Sequence, residues 1–220
     1  MSSIDDIDTL PEEMLIDNCK SYLNILKDLA ANGIRNPLLR GSKQPYEKMT
    51  KLNVKKRERA MNMDDYTFEI TDNWFKNNFN IAARSSTVFS TTDIEQANDY
   101  GFSHYMFPIG SFNTIHSNNV KDLYILLNKR NTGKKAIQLY GAKEIPQEYQ
   151  YAIDYYYYQE PENYAEIIRH ILNDADYQKN DVRNAFTSGH EIMIKTKSYY
   201  MIPMDTWVED FLDDFIYDEI

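Results

Sequence analysis

The sequence predicts an α+β protein, with a mixed β-sheet core and peripheral helices. Three observations lead there. Strand-like and helix-like runs are interspersed without the regular alternation that a doubly wound parallel sheet requires. Amphipathic helical patterns stand near both ends of the chain and around residue 165. Finally, 42% hydrophobic residues and 18 tyrosines in 220 residues supply enough apolar surface for a substantial core.

The elements follow in order. Leu15, Cys19, Tyr22, Leu26 and Leu29 recur at helical spacing between Pro11, in a first turn, and Asn32-Gly33, a stop. Residues 1–34 therefore read as an N-terminal helix packed on a single domain over 35–220. "NPLLRG" (36–41) reads as a short buried strand, and the polar, basic segment through Met63 as a long loop. "DYTFEI" alternates Tyr66, Phe68 and Ile70 like a half-buried strand, with Thr71 capping a short helix carrying Trp74, Phe75 and Phe79. A strand through Val88 and Phe89 leads to Ser90-Thr91-Thr92 and a helix from Asp93, ended by Gly101; Ser90 or Thr92 fits its cap.

"HYMFPI" (104–109) and "KAIQLY" (135–140) read as strands, with a short Ser117-capped element between them carrying Val120, Leu123, Tyr124 and Leu127. The tyrosine run 149–161 suits core and interface surface rather than a ligand cage, because aromatic stripes usually pack. Pro161 opens a helix with Tyr164, Ile167, Ile168, Ile171 and Leu172 on one face. Gly189 suits a helix end, and "EIMIKT" a following strand. Val208, Phe211, Leu212 and Phe215 make a last amphipathic helix with an acidic, solvated outer face.

Composition narrows the function. A net charge of −10 disfavours broad nucleic-acid binding, although "KLNVKKRERA" (51–60) is locally basic, either a solvated face or a grip on phosphate. One cysteine rules out an intrachain disulfide framework. No run approaches the roughly 18 apolar residues of a spanning helix, and the acidic start "MSSIDDIDTLPEE" is no signal peptide, so a cytoplasmic protein without membrane contact is expected. His190-Glu191 resembles half of a zinc-protease signature, but position 194 is Ile, and His104, His116 and His170 are not at ligand spacing. No metal is expected, and His190 reads as a neighbour rather than an actor. Glycine-rich nucleotide loops, the nucleophile elbow and the kinase motifs are all missing.

What remains is a spaced trio of polar residues at strand edges: Arg40 in "PLLRG", Ser90 in "VFSTT" and Glu191 in "GHEIMI". In that order and context, residues 36–203 resemble the arginine–serine–glutamate class of ADP-ribosyltransferases, particularly the small members from tailed phages. The resemblance implies a core of that family's type and NAD as substrate. Glu191 is then the carboxylate that engages the ribose and steadies an oxocarbenium-like transition state. Ser90 holds it, with Thr91 and Thr92 lining the cleft. Arg40 pairs with the dinucleotide through its planar donor fork, Gly41 leaves room for the ligand, and Arg84 is either a second phosphate contact or a surface charge. Phe102, Tyr105 and Phe107 are candidates to stack on nicotinamide.

Members that modify arginine carry Glu or Gln two residues before the catalytic Glu; Gly189 stands there in this chain. The resemblance therefore implies a phage enzyme of host takeover, working in the host cytosol on a host protein or nucleic-acid acceptor other than arginine, or hydrolysing NAD outright. The contrasting expectation is a non-catalytic acidic protein of the same fold that engages or inhibits a host factor.

Overall fold

A computed structural model describes residues 10–59, 63–141, 151–204 and 206–217. The first part of the tyrosine run (Tyr149, Gln150) lies outside the described residues, as do Asp5, Asp6 and Asp8 near one end of the chain and Asp218 and Glu219 near the other. The class is α+β, but the sheet is not a single mixed one. Two four-stranded sheets form, with orders β1-β4-β8-β2 and β3-β7-β5-β6. The β1–β4, β4–β8, β2–β8, β5–β7 and β5–β6 pairs are antiparallel.

The chain divides into two compact units. The first unit comprises residues 1–54, 90–112 and 196–220. It opens with helices α1 (Pro11–Asn18) and α2 (Lys20–Ala30), where the sequence predicts one. The break is at Cys19, whose backbone leaves helical geometry, although the predicted face of Leu15, Cys19, Tyr22, Leu26 and Leu29 is buried throughout. Tyr22 ties α2 to the sheet: its hydroxyl accepts from Leu38 N–H at 2.7 Å, and its ring meets Phe107 edge-on at 5.3 Å. The sheet consists of β1 (Leu39–Ser42), β2 (Thr50–Asn53), β4 (Phe102–Pro108) and β8 (Ser198–Pro203). β2 lies within the segment expected to be loop. Its four residues are too polar to show a period, and pairing with β8 sets their conformation.

Also in this unit are α5 (Ile94–Asn98) and the C-terminal α11 (Thr206–Leu212), which runs on into a π-helical turn over Asp213–Tyr217. Val208, Phe211 and Leu212 are buried as expected, joined by Ile216, while Phe215 lies under the ammonium of Lys27. The cap of α5 is Asp93, which accepts from Glu95 and Gln96 N–H, rather than Ser90 or Thr92.

The second unit comprises residues 55–89 and 113–195. Here the largest departure is α3 (Asp65–Phe79), a 15-residue helix where a strand and a short helix were expected. Tyr66, Phe68 and Ile70 alternate, but Thr67, Phe68, Ile70, Thr71 and Phe75 also fall at helical spacing, and these are what the helix buries. Asp64 caps it through Thr67 N–H, and Asn80 ends it in the left-handed region. α4 (Ala83–Ser86) precedes β3 (Val88–Ser90); β5 (Asn113–Ser117) and β6 (Tyr177–Lys179) were not foreseen. α6 (Leu123–Leu126) is capped by Asp122 rather than Ser117.

"KAIQLY" belongs to α7 (Lys129–Tyr140), not to a strand. The residues that face inward there are small, Thr132, Gly133 and Ala136, so the apolar period is masked while Ile137 stays exposed. α8 (Ala152–Gln159), α9 (Pro161–Asp174), α10 (Val182–Ser188) and β7 (Ile192–Lys195) complete the unit. The buried face of α9 is the predicted one. Together with Phe75, Ile115, Leu123, Tyr156 and Met193 it forms the core of this unit.

Candidate active site

Two of the three motif residues, Arg40 and Ser90, belong to the first unit. Leu39 and Thr91 exchange a pair of backbone hydrogen bonds, 2.7 Å from Leu39 N and 2.9 Å from Thr91 N, as an antiparallel bridge. The bridge is an isolated one, and it joins the chain at the residues adjacent to Arg40 and Ser90. On the other side of β1, Arg40 is opposite His104. His104 is buried, and its tautomer follows from its partners. Nε2 accepts from Tyr46 N–H at 3.1 Å, which leaves Nδ1 to donate to Phe102 O at 2.7 Å. Burial lowers its pKa, so it stands neutral beside the guanidinium-bearing strand.

Around this pair, Thr91 is buried and structural: its hydroxyl donates to Gln96 Oε1 and accepts from Asp93 N–H. Thr92 is partly exposed. Gly41 makes room for the chain itself, since a Cβ there would sit 2.1 Å from Ala97 O and 2.7 Å from Tyr100 Cβ. Of the aromatic candidates, Phe107 is fully buried and Tyr105 nearly so, with its hydroxyl on Glu209; Phe102, at 57% exposed, is the one open to a ligand.

Glu191 belongs to the second unit. Gly189, in the left-handed region, ends α10 and turns the chain; Glu191 N–H then donates to Lys121 O at 2.9 Å before β7 begins. Its carboxylate accepts from Leu123 N–H, yet Oε1 is buried without a hydrogen-bond partner among the described residues. Burial raises its pKa to about 7 against the lowering effect of Arg84 and, more weakly, Arg57; the buried Asp122 raises it further. Desolvation thus outweighs two cations. Near neutral pH such a carboxyl exchanges its proton readily, the property a general acid or base needs.

Arg84 is not a surface charge. It is buried, its Nε has no partner among the described residues, and its guanidinium carbon lies 4.7 Å from the centre of the Phe89 ring. Arg57 lies 4.4 Å from the same ring centre, donating through Nε to Arg84 O and through a terminal nitrogen to Thr87 O, each at 2.8 Å. Of the basic run, Lys51, Lys55, Lys56 and Arg59 are exposed, and Arg57 alone is drawn inward. The Tyr177 hydroxyl is also buried and unpartnered; burial, then Glu191, hold its pKa well above the usual tyrosine range. Sequence reasoning missed Arg57, Asp122 and Tyr177 as neighbours of Glu191. Only Arg57 left a trace, inside the basic run. His190 donates through Nδ1 to Ser117 O at 2.9 Å, a local tie.

Among the described residues, no group of three or more His, Cys, Asp or Glu could hold a metal ion, and no helix is long and apolar enough to cross a membrane. The chain matches no protein-family model, and neither the curated proteins nor the solved structures give a significant match to it.

Proposed function

We propose that this protein transfers ADP-ribose from NAD to a macromolecule and releases nicotinamide, on a core of the arginine–serine–glutamate ADP-ribosyltransferase type. The observation that carries the reading is the Leu39–Thr91 bridge, which joins the chain at the neighbours of Arg40 and Ser90. Two short motifs fifty residues apart in sequence thereby become one feature. The half-satisfied carboxylate of Glu191 is the second support.

The reaction breaks the bond between ribose C1′ and the nicotinamide nitrogen, with the bonding pair leaving on nicotinamide. A lone pair of the acceptor forms the new bond at C1′, and the acceptor loses its proton. In this reading ionised Glu191 accepts from a ribose hydroxyl and steadies the positive charge that builds on the ring; a fixed carboxylate in a dry site is worth several kcal/mol of such stabilisation. Arg40 binds the dinucleotide through its planar donor fork. With Gly189 where arginine-modifying enzymes carry Glu or Gln, the acceptor is another side chain or a base.

The test is to incubate the full chain with biotin-labelled NAD and a bacterial lysate, following label transfer and nicotinamide release. Both are expected, and both are expected to vanish in Glu191→Gln. Absence of label and of nicotinamide release with every protein and nucleic-acid acceptor offered overturns the reading.

A further inference from the structure

A cavity of about 560 Å³ opens in the second unit between α3, the α6–α7 turn and α8. We propose that it binds an ammonium or guanidinium group carried on an apolar stem, and this stands independently of the transfer reaction above.

Three features of its walls point to a cation. The first is aromatic. Tyr124, Tyr157, Tyr158 and Tyr164 all line it, and Tyr157 stands at 83° to Tyr158 and 89° to Tyr164, with ring centres 4.9 and 5.1 Å apart. Rings set at right angles offer π faces in more than one direction, and the negative face of a phenol attracts a cation. The second is charge. Asp64 and Asp154 both line the cavity against one cation, Lys129, so an anionic ligand such as a nucleotide meets net repulsion there.

The third is the state of that lysine. Lys129 Nζ lies 2.9 Å from Asp154 Oδ1, with its own side chain 64% exposed and the carboxylate largely covered. The site thus already holds an ammonium group at its mouth, on a flexible and solvated arm that an incoming cation can replace. The apolar parts of Leu127 and Ile153 complete the lining and suit a hydrocarbon stem. Tyr158, packed edge-on against Tyr157, is 68% exposed and so leaves much of its ring open to a ligand.

The probes are agmatine, which carries a guanidinium and an ammonium on a four-carbon stem, its uncharged isostere N-butylurea, and a blocked Gly-Arg-Gly peptide, each titrated into the full chain by calorimetry. Agmatine is expected to bind and N-butylurea to bind at least about tenfold more weakly. Tyr158→Ala, at an exposed position, and Asp154→Asn, which keeps the side chain's size, are expected to weaken agmatine by about fivefold or more. Lys129→Ala removes the internal competitor and is expected to tighten it. Binding of the peptide as well assigns the site to a side chain of a partner polypeptide, whereas agmatine alone assigns it to a free amine. No agmatine binding, equal binding of the neutral isostere, or weaker binding after Lys129→Ala overturns the proposal.

Discussion

Arg84 holds its guanidinium carbon 4.7 Å from the centre of the Phe89 ring while acting as the strongest opposing charge on Glu191. Arg84→Met, which keeps the stem and removes the cation, is therefore expected to raise the Glu191 pKa above about 7. Arg84→Lys keeps the charge but loses the planar stacking, and is expected to raise it less. Carboxyl-carbon NMR titration of Glu191 checks both. An unchanged titration in Arg84→Met shows that the two groups do not feel each other.

The raised pKa has a consequence for stability. Because the folded state binds the Glu191 proton more tightly than the unfolded chain, stability is fully present below the ordinary carboxyl pKa of 4.5 and is lost as pH rises through about 7. The loss amounts to about 3 kcal/mol when ionisation is complete. Glu191→Gln cannot ionise, so it is expected to be more stable than the parent at pH 8 and nearly equal at pH 4.5. Urea unfolding at the two pH values measures the difference. His104, whose pKa burial lowers, works in the opposite sense, withdrawing stability as pH falls below its ordinary 6.5.

Catalysis by the proposed route asks for Glu191 ionised, so turnover is expected to rise with pH through about 7, where stability falls. Arg40→Lys retains the charge without the fork and is expected to raise the KM for NAD by about tenfold with little change in melting temperature. Equal loss of NAD binding and stability shows instead that Arg40 serves the sheet.

Two glycines are expected to respond oppositely to alanine. At Gly41 a methyl group would meet Ala97 O and the Tyr100 Cβ, neither at the end of a flexible side chain. The substitution is expected to cost about 2–3 kcal/mol, lowering the melting temperature by about 5–10 °C. Gly133, in the middle of α7, has nothing within 4 Å of the added carbon. Alanine there is expected to stabilise by about 0.5–1 kcal/mol through reduced freedom of the unfolded chain. Thermal unfolding of the two variants side by side decides the matter.

The sequence was most legible where burial and local pattern agree. The helical face from Leu15 to Leu29, the Pro161 helix, the Gly189 stop and the strand after Glu191 all follow from spacing and caps. It misled where two periods overlap, as in Tyr66–Ile70, or where a helix buries only small residues, as in α7. Strands β2, β5 and β6 owe their conformation to neighbours distant in sequence, and their own side chains do not announce it. The same divide runs through the site. Arg40 and Ser90 could be picked out as polar residues closing apolar runs. The surroundings of Glu191 could not, since Asp122 and Tyr177 enter from separate elements with no shared motif.

The division of the polypeptide bears on how it can be dissected. The backbone passes from one unit to the other after Val54, Phe89, Phe112 and Lys195, so neither unit is a continuous stretch of chain. Terminal truncation at any point inside 55–195 removes strands that the first unit's sheet needs, because β4 pairs with β1 on one side and β8 on the other, and β2 pairs with β8. Fragment libraries and nested deletions will consequently yield insoluble pieces rather than a minimal functional core. Point substitution is the informative route, and a fusion partner belongs at a surface turn or an end, never at a cut between halves.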